Sequence, residues 1–249
     1  MKTYLFILSF LFIYSNSFSQ LPARSSGQVV SGSNVSVFFN NPNFSYLSSE
    51  TKEDVIKYEN IEGSPYIDNY SGASNTIPIG KFYSPQMEYI ETALARYNAY
   101  TDEMEVSLLE DGVDYYLLKK EEGFLYIVLG EKTYRAYLYN NKPGFYVILS
   151  PDDTRKCVLL KKERIVFEKE RKASSTFVSG TPDSFKRIRD VYYFKIDETL
   201  IEVPKKKKIF YNIFRERKNE VKKFVESNRL KINKEEDLIK ISEYFNSLK

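Results

Sequence analysis

The sequence predicts an α+β protein: an antiparallel β-meander, sandwich-like or open-barrel-like, followed by a C-terminal helical hairpin. Three observations predict it. Apolar-alternating segments separated by turn residues recur about every eight to twelve residues from residue 77 onward. Aromatic residues make up 16% of the chain as 21 Tyr and 18 Phe with no Trp, and both types suit strands. Beyond Pro204 the apolar spacing changes to three and four, the period of a helix.

The chain opens Met1-Lys2-Thr3-Tyr4, continues as an apolar run over residues 5–14, and reaches Ser17-Phe18-Ser19-Gln20. One basic residue, a short apolar run and a small-x-small site predict a secretory signal peptide over residues 1–19. The run falls short of the about 20 apolar residues that a spanning helix needs. No transmembrane helix is therefore expected after cleavage. Residues 20–62 are rich in Ser, Asn and Gly and predict a flexible leader, with a short strand at residues 35–39 and a helical turn at residues 52–58.

The β-rich domain is expected over residues 63–204. Its strands are predicted at residues 77–82, 89–97, 103–109, 113–118, 124–129, 133–139, 145–149, 157–160, 165–167, 191–196 and 199–203. Asp111-Gly112, Glu122-Gly123, Gly130-Glu131 and Asp197-Glu198 supply turns between them. Residues 168–182 read as a loop and residues 185–188 as a short turn. In the tail, residues 205–249, Phe210, Ile213, Phe214, Val221, Phe224 and Val225 mark an amphipathic helix over residues 206–228. Asn233, with Glu236 three residues on, predicts the N-cap of a second helix, lined by Leu238, Ile241, Phe245 and Leu248. The pair is expected to dock on the sheet.

Histidine is absent. Ser-His-Asp and Cys-His mechanisms are thereby excluded, as are His-based zinc sites. A single cysteine, Cys157, cannot form an internal disulfide, and its place in an apolar segment predicts a buried, inert thiol. Ser49-Glu50-Thr51-Lys52 has a Ser-x-x-Lys spacing but lacks the partner motifs of penicillin-binding enzymes. No cofactor and no metal site is predicted.

Two segments are candidate sites. Tyr97, Asn98, Asp102, Glu103 and Glu105 concentrate carboxylates, an amide and a phenol, which suits a ligand or Ca²⁺; paired carboxylates also suit acid–base chemistry on a glycan. Lys205, Lys206, Lys207 and Lys208 form a basic run at a helix start, where positive charge is unfavourable, and suit contact with an anionic surface. Residues 1–151 carry a net −6 and residues 152–249 a net +9, which places the anion-attracting half at the C-terminus. The tyrosine pairs Tyr115-Tyr116, Tyr137/Tyr139 and Tyr192-Tyr193 suit a groove or a half-exposed sheet face.

Residues 94–105, Leu-Ala-Arg-Tyr-Asn-Ala-Tyr-Thr-Asp-Glu-Met-Glu, resemble an L-R-Y-N-x-Y-x-D-E-M-E signature of uncharacterised secreted proteins of Bacteroidetes, chiefly flavobacteria. Gly63-Ser64-Pro65-Tyr66 upstream, the basic tail over residues 221–248 and the Ser-Phe-Ser-Gln end of the leader fit the same group. Ala95 departs from the pattern, which has a larger residue there. The resemblance implies export into a Gram-negative envelope and carries no activity.

Together these readings predict an exported protein, periplasmic, outer-membrane-associated or extracellular, with a non-enzymatic binding or structural role. Its expected partner is an envelope protein or polymer, and nucleic acid is excluded by compartment. Two alternatives stand beside it: a carboxylate enzyme acting on a glycan through Asp102, Glu103 and Glu105, and a peripheral binder of anionic membrane or cell-wall polymer through residues 205–208.

Overall fold

The computed structural model describes residues 46–51, 61–67, 78–107, 115–172 and 180–248. The expected signal peptide, the strand at 35–39, the helical turn at 52–58 and the Asp111-Gly112 turn lie outside them. All described residues belong to one compact unit, residues 34–249.

Eleven strands form one antiparallel sheet: β1 (Leu47–Thr51), β2 (Ile79–Tyr83), β3 (Tyr89–Asn98), β4 (Glu103–Ser107), β5 (Tyr115–Leu118), β6 (Tyr126–Leu129), β7 (Lys132–Tyr139), β8 (Lys142–Ile148), β9 (Cys157–Glu168), β10 (Ser184–Ile196) and β11 (Thr199–Glu202). Their order across the sheet is β1-β5-β4-β3-β2-β6-β7-β8-β9-β10-β11. Helices α1 (Lys207–Phe210), α2 (Lys218–Ser227) and α3 (Glu235–Ser247) follow, with a 3₁₀ stretch, Tyr211–Arg217, between the first two. This is the α+β architecture that the alternation and the change of period predict. The leader expected at residues 20–62 contains β1 near its end, paired with β5.

The sheet is curled. β3 and β9 stand five places apart in the sheet order, about 24 Å at the usual strand spacing if the sheet were flat. Instead the Ile165 N–H donates to the Ala99 carbonyl at 3.4 Å. The closure is a wedge. β8 and β9 pair at two positions, Val147↔Lys161 and Ile148↔Leu160, and then separate. The tip of the β3–β4 hairpin enters that gap. Asp102 accepts the Phe145 N–H at 3.2 Å, Lys162 donates to the Phe145 carbonyl at 2.8 Å, and the two side chains pair at 2.5 Å.

One core fills the curl: Phe82, Tyr97, Met104, Ile127, Tyr134, Phe145 and Ile165, with Ala95 among them. Ala95 is small because a Cβ on Gly80 would already lie 2.9 Å from its methyl. Alternate residues of β7–β10 point to the opposite face, where Tyr137, Tyr146, Val158, Leu160 and Tyr193 form another core. β11 lies against β7 on closing it. A third cluster joins Cys157, Leu159 and Phe194 of the sheet to Phe210, Phe214, Val221, Val225, Leu238 and Ile241 of the tail. The helical pair therefore docks on β9 and β10.

Four elements differ from the sequence reading. Residues 157–160 and 165–167 belong to one strand, β9: three of the four charges between them are paired, Lys161 with Glu235, Lys162 with Asp102, and Glu163 with Lys132 and Tyr134, and the fourth, Arg164, points to solvent. Residues 185–188 are not a turn but the first part of β10. A bulge at Arg189-Asp190, two residues opposite one on β9, interrupts the alternation and hides the continuity. The helix expected over 206–228 is broken at Arg215, whose φ is +45°. Phe210, Tyr211, Ile213 and Phe214 are all buried; in an α-helix they would spread over about 160° of the circumference, and 3₁₀ winding gathers them into a narrower arc before the chain redirects. The second helix begins at Glu235 with Lys234 at the N-cap, so Asn233 does not cap it.

Asn246 of α3 docks the tail in strand-like fashion: its Oδ1 accepts the Cys157 N–H at 2.9 Å and its Nδ2 donates to the Cys157 carbonyl at 2.8 Å. The Ser242 hydroxyl donates to the same carbonyl at 3.0 Å. Asn246→Ala leaves the Cys157 N–H without this partner, and a loss of about 1–3 kcal/mol in urea unfolding is expected. A midpoint and slope unchanged from wild type would show that the contact is not stabilising.

Candidate functional site

The residues of the acidic segment are partners of one another and of distant strands. Glu105 is fully buried and accepts from Arg96 Nε at 2.8 Å, Asn98 Nδ2 at 3.1 Å and the Tyr66 hydroxyl at 3.1 Å. The Arg96 guanidinium lies between two rings, 4.2 Å from the Tyr66 centroid and 3.7 Å from that of Tyr115. Asn98 also accepts the Tyr100 and Thr101 N–H groups, which shapes the hairpin turn. Tyr97 donates to Asp102 at 2.8 Å, and burial with this carboxylate beside it raises the phenol well above its ordinary value. Glu103 pairs with Lys120 at 2.8 Å. No group of three or more metal-ligating side chains is gathered among the described residues.

Other candidates are similarly placed. Burial pushes the Cys157 thiol up to about 12, against a hydrogen bond with Ser242. Ser49 sits in β1, and Lys52 lies outside the described residues. Tyr137, Tyr139, Tyr146 and Tyr193 pack edge to face. Asp153, in the β8–β9 loop, accepts from Tyr126, Tyr137 and Arg135. Burial alone would raise its carboxyl, and these three donors outweigh burial and hold it low.

The lysine run leads to a different place. A cleft of about 420 Å³ lies where the sheet edge meets the tail. That volume is in the range of small-ligand sites. Three chain segments build it. The β10 bulge contributes Arg189, Asp190 and Val191, with Tyr192 beside them. The end of β11 contributes Glu202, Val203, Pro204, Lys205 and Lys207. Val203 still donates to the Tyr192 carbonyl at 2.8 Å, and Pro204, lacking an N–H, ends the ladder and turns the chain away from the edge. The link after α2 contributes Lys231, Ile232 and Asn233. Arg229, at φ +53°, reverses the chain there, and Leu230 N bonds the Val225 carbonyl at 2.9 Å.

Lys205, Lys207 and Lys231 form no ion pair among the described residues. Arg189 donates to the Asn233 carbonyl at 3.4 Å. Of the two lining acids, Asp190 is already held by Arg187 at 2.7 and 3.0 Å. Burial lifts its carboxyl above the ordinary value, while Arg187 opposes the rise. Glu202 is the lining acid with no such partner. Tyr192 donates to Glu235 at 3.0 Å, and Lys161 pairs with the same oxygen at 3.0 Å, so the phenol is fixed at the cleft. Burial, then Glu235, raises its pKa.

Lys205 and Lys207 of the predicted run thus line the cleft, whereas Lys206 precedes α1 and Lys208 is exposed within it. Sequence reasoning did not single out Arg189 or Lys231, whereas Tyr192 was among the tyrosines read as suiting a groove. The one signal for Arg189 was the charged Arg-Asp pair between Ile188 and the apolar run that starts at Val191, which is the bulge.

No helix among the described residues is long and apolar enough to cross a membrane. Comparison with protein-family models, with curated proteins and with solved structures finds no match to this chain.

Proposed function

We propose that this chain is an exported, non-enzymatic binding protein of the cell envelope, periplasmic or outer-membrane-associated, whose basic cleft holds an anionic ligand. The signal-like N-terminus supports export. One observation carries the binding role: four cations from three chain segments, Arg189, Lys205, Lys207 and Lys231, line a single cleft with one unengaged acid, Glu202. Like charges brought together without counter-charges repel, and an anionic partner removes that cost. The acidic segment offers no rival site, because its carboxylates serve internal pairs.

The mature protein is expected to cosediment with phosphatidylglycerol vesicles and not with phosphatidylcholine vesicles, and to release as salt rises from about 50 to 500 mM. Lys205→Glu/Lys207→Glu, both exposed positions, abolishes retention while leaving the melting temperature close to wild type. Retention that is insensitive to salt, or equal in the double variant, rejects this reading.

A further inference from the structure

Resting on that reading, we propose that the cleft recognises a phosphate monoester carried on an apolar body. The charge count favours phosphate over carboxylate. A phosphate monoester carries about −1.5 to −2 near neutrality, and a carboxylate −1. Four cations facing one unengaged carboxylate leave a positive excess larger than either ligand carries, and a phosphate monoester offsets up to twice as much of it as a carboxylate.

The donor types agree. Carboxylate recognition commonly uses the planar fork of arginine, and lysine acts as a point charge on phosphate. Three of the four cations are lysines, and the sole arginine already spends one guanidinium nitrogen on the Asn233 carbonyl. Lys205 and Lys207 come from the β11–α1 junction, Arg189 from the bulge, and Lys231 from the helix link, so three separate segments bring cations to one cleft. Unlike a bare patch of lysines, the cleft has an apolar wall. Val191, Val203, Pro204 and Ile232 line it beside the Tyr192 ring. A free inorganic phosphate would leave that wall wet. An acyl or alkyl substituent on the ester covers it, at about 0.8 kcal/mol per buried methylene.

Isothermal titration of the mature protein at low salt tests this with five ligands: dihexanoyl phosphatidic acid below its micellar range, glycerol 3-phosphate, inorganic phosphate, hexanoate and glucuronate. Dihexanoyl phosphatidic acid is expected to bind most tightly. Glycerol 3-phosphate and inorganic phosphate follow, at least about tenfold weaker for lack of the apolar contact. The carboxylates are expected to be weaker still. Lys205→Glu/Lys207→Glu removes binding of every phosphate. Val203→Ser weakens the dihexanoyl ester and leaves glycerol 3-phosphate unchanged, a split that a general loss of folding does not produce. Carboxylates that bind as well as the phosphates overturn the phosphate assignment and leave the anion-binding reading standing. Equal affinity for inorganic phosphate and the dihexanoyl ester overturns the apolar body alone. Heat with none of the five, together with no retention on anionic vesicles, overturns both readings.

Discussion

Raising the pH above 10 is expected to unfold the protein cooperatively, after a flat stability profile from about pH 6 to 9. The flat region follows from the absence of histidine and from Cys157, whose thiol has an ordinary pKa near the top of that range but is pushed up to about 12 by burial. The collapse follows from buried tyrosines. Tyr97, Tyr126, Tyr137, Tyr146 and Tyr193 are each less than a tenth exposed. Burial raises every one of them, with Asp102 adding to it at Tyr97 and Asp153 at Tyr126 and Tyr137. Tyr126 and Tyr193 are pushed up to about 12. A group whose pKa is higher in the folded state gives stability that is complete below its unfolded value and is lost as pH rises toward its folded value. The window therefore opens at 10.0, the ordinary tyrosine value. Each such tyrosine withdraws about 1.4 kcal/mol per pH unit above it. Five of them withdraw about 7 kcal/mol by pH 11, comparable to the whole stability of a typical domain. Lys162 acts in the opposite sense, because burial lowers its pKa against the pull of Asp102, but it is one group against five. Phenolate absorbance near 295 nm and far-ultraviolet circular dichroism, followed together, should change in a single step. Five phenols that titrate at pH 10 while the dichroism stays native would show that they are not held in buried positions.

Replacing Asp102 is the second large effect. This carboxylate holds Lys162, the Phe145 N–H and the Tyr97 hydroxyl in the gap between β8 and β9. Asp102→Ala leaves a largely buried ammonium and two unpaired donors. The expected loss is about 3–5 kcal/mol, which lowers the melting temperature by about 10 °C in a unit of this size. Asp102 also sits at φ +60°, where alanine is strained and asparagine is not. Asp102→Asn therefore separates charge from backbone: it keeps an acceptor for Phe145 and still strands Lys162. The double variant Asp102→Ala/Lys162→Met should melt higher than Asp102→Ala alone, since removing both charges costs less than exposing one. A calorimetric melt of Asp102→Ala within about 2 °C of wild type would sink the wedge as a source of stability.

The fold class was legible because alternation and turn residues act locally. Residues 89–97 read as a strand and form β3, and Gly130 turns β6 into β7 at φ +57°. What was not legible depends on partners far along the chain. Lys161, Lys162 and Glu163 look like an interruption until Glu235, Asp102 and Tyr134 are beside them. The same holds for the acidic segment. Asp102, Glu103 and Glu105 have the composition of a ligand shell; the hairpin register sets Arg96 opposite Glu105, Lys120 follows the neighbouring strand β5, and only the curl of the sheet brings Lys162 to Asp102. In the tail, the three-and-four spacing located the apolar residues and not the reversal at Arg215. Of the cleft, the odd placement of Lys205 and Lys207 was visible, while Arg189 and Lys231 join them through a bulge and a helix link that no local pattern announces.

The closures of the sheet also set an order of assembly. Ala99 meets Ile165, β11 meets β7, and Cys157 waits for Asn246 near the end of the chain. Each brings together stretches far apart in sequence, and such contacts carry loop-closure entropy that local ones do not. No run of consecutive strands is self-sufficient: an N-terminal piece through β8 has a seam with nothing to fill it, and the middle of the chain has one face of β9 bare until α3 is made. A chain made N-terminus first thus remains an unfinished, aggregation-prone sheet until its last forty or so residues are free, and the tail that borders the cleft is also the part that completes the fold.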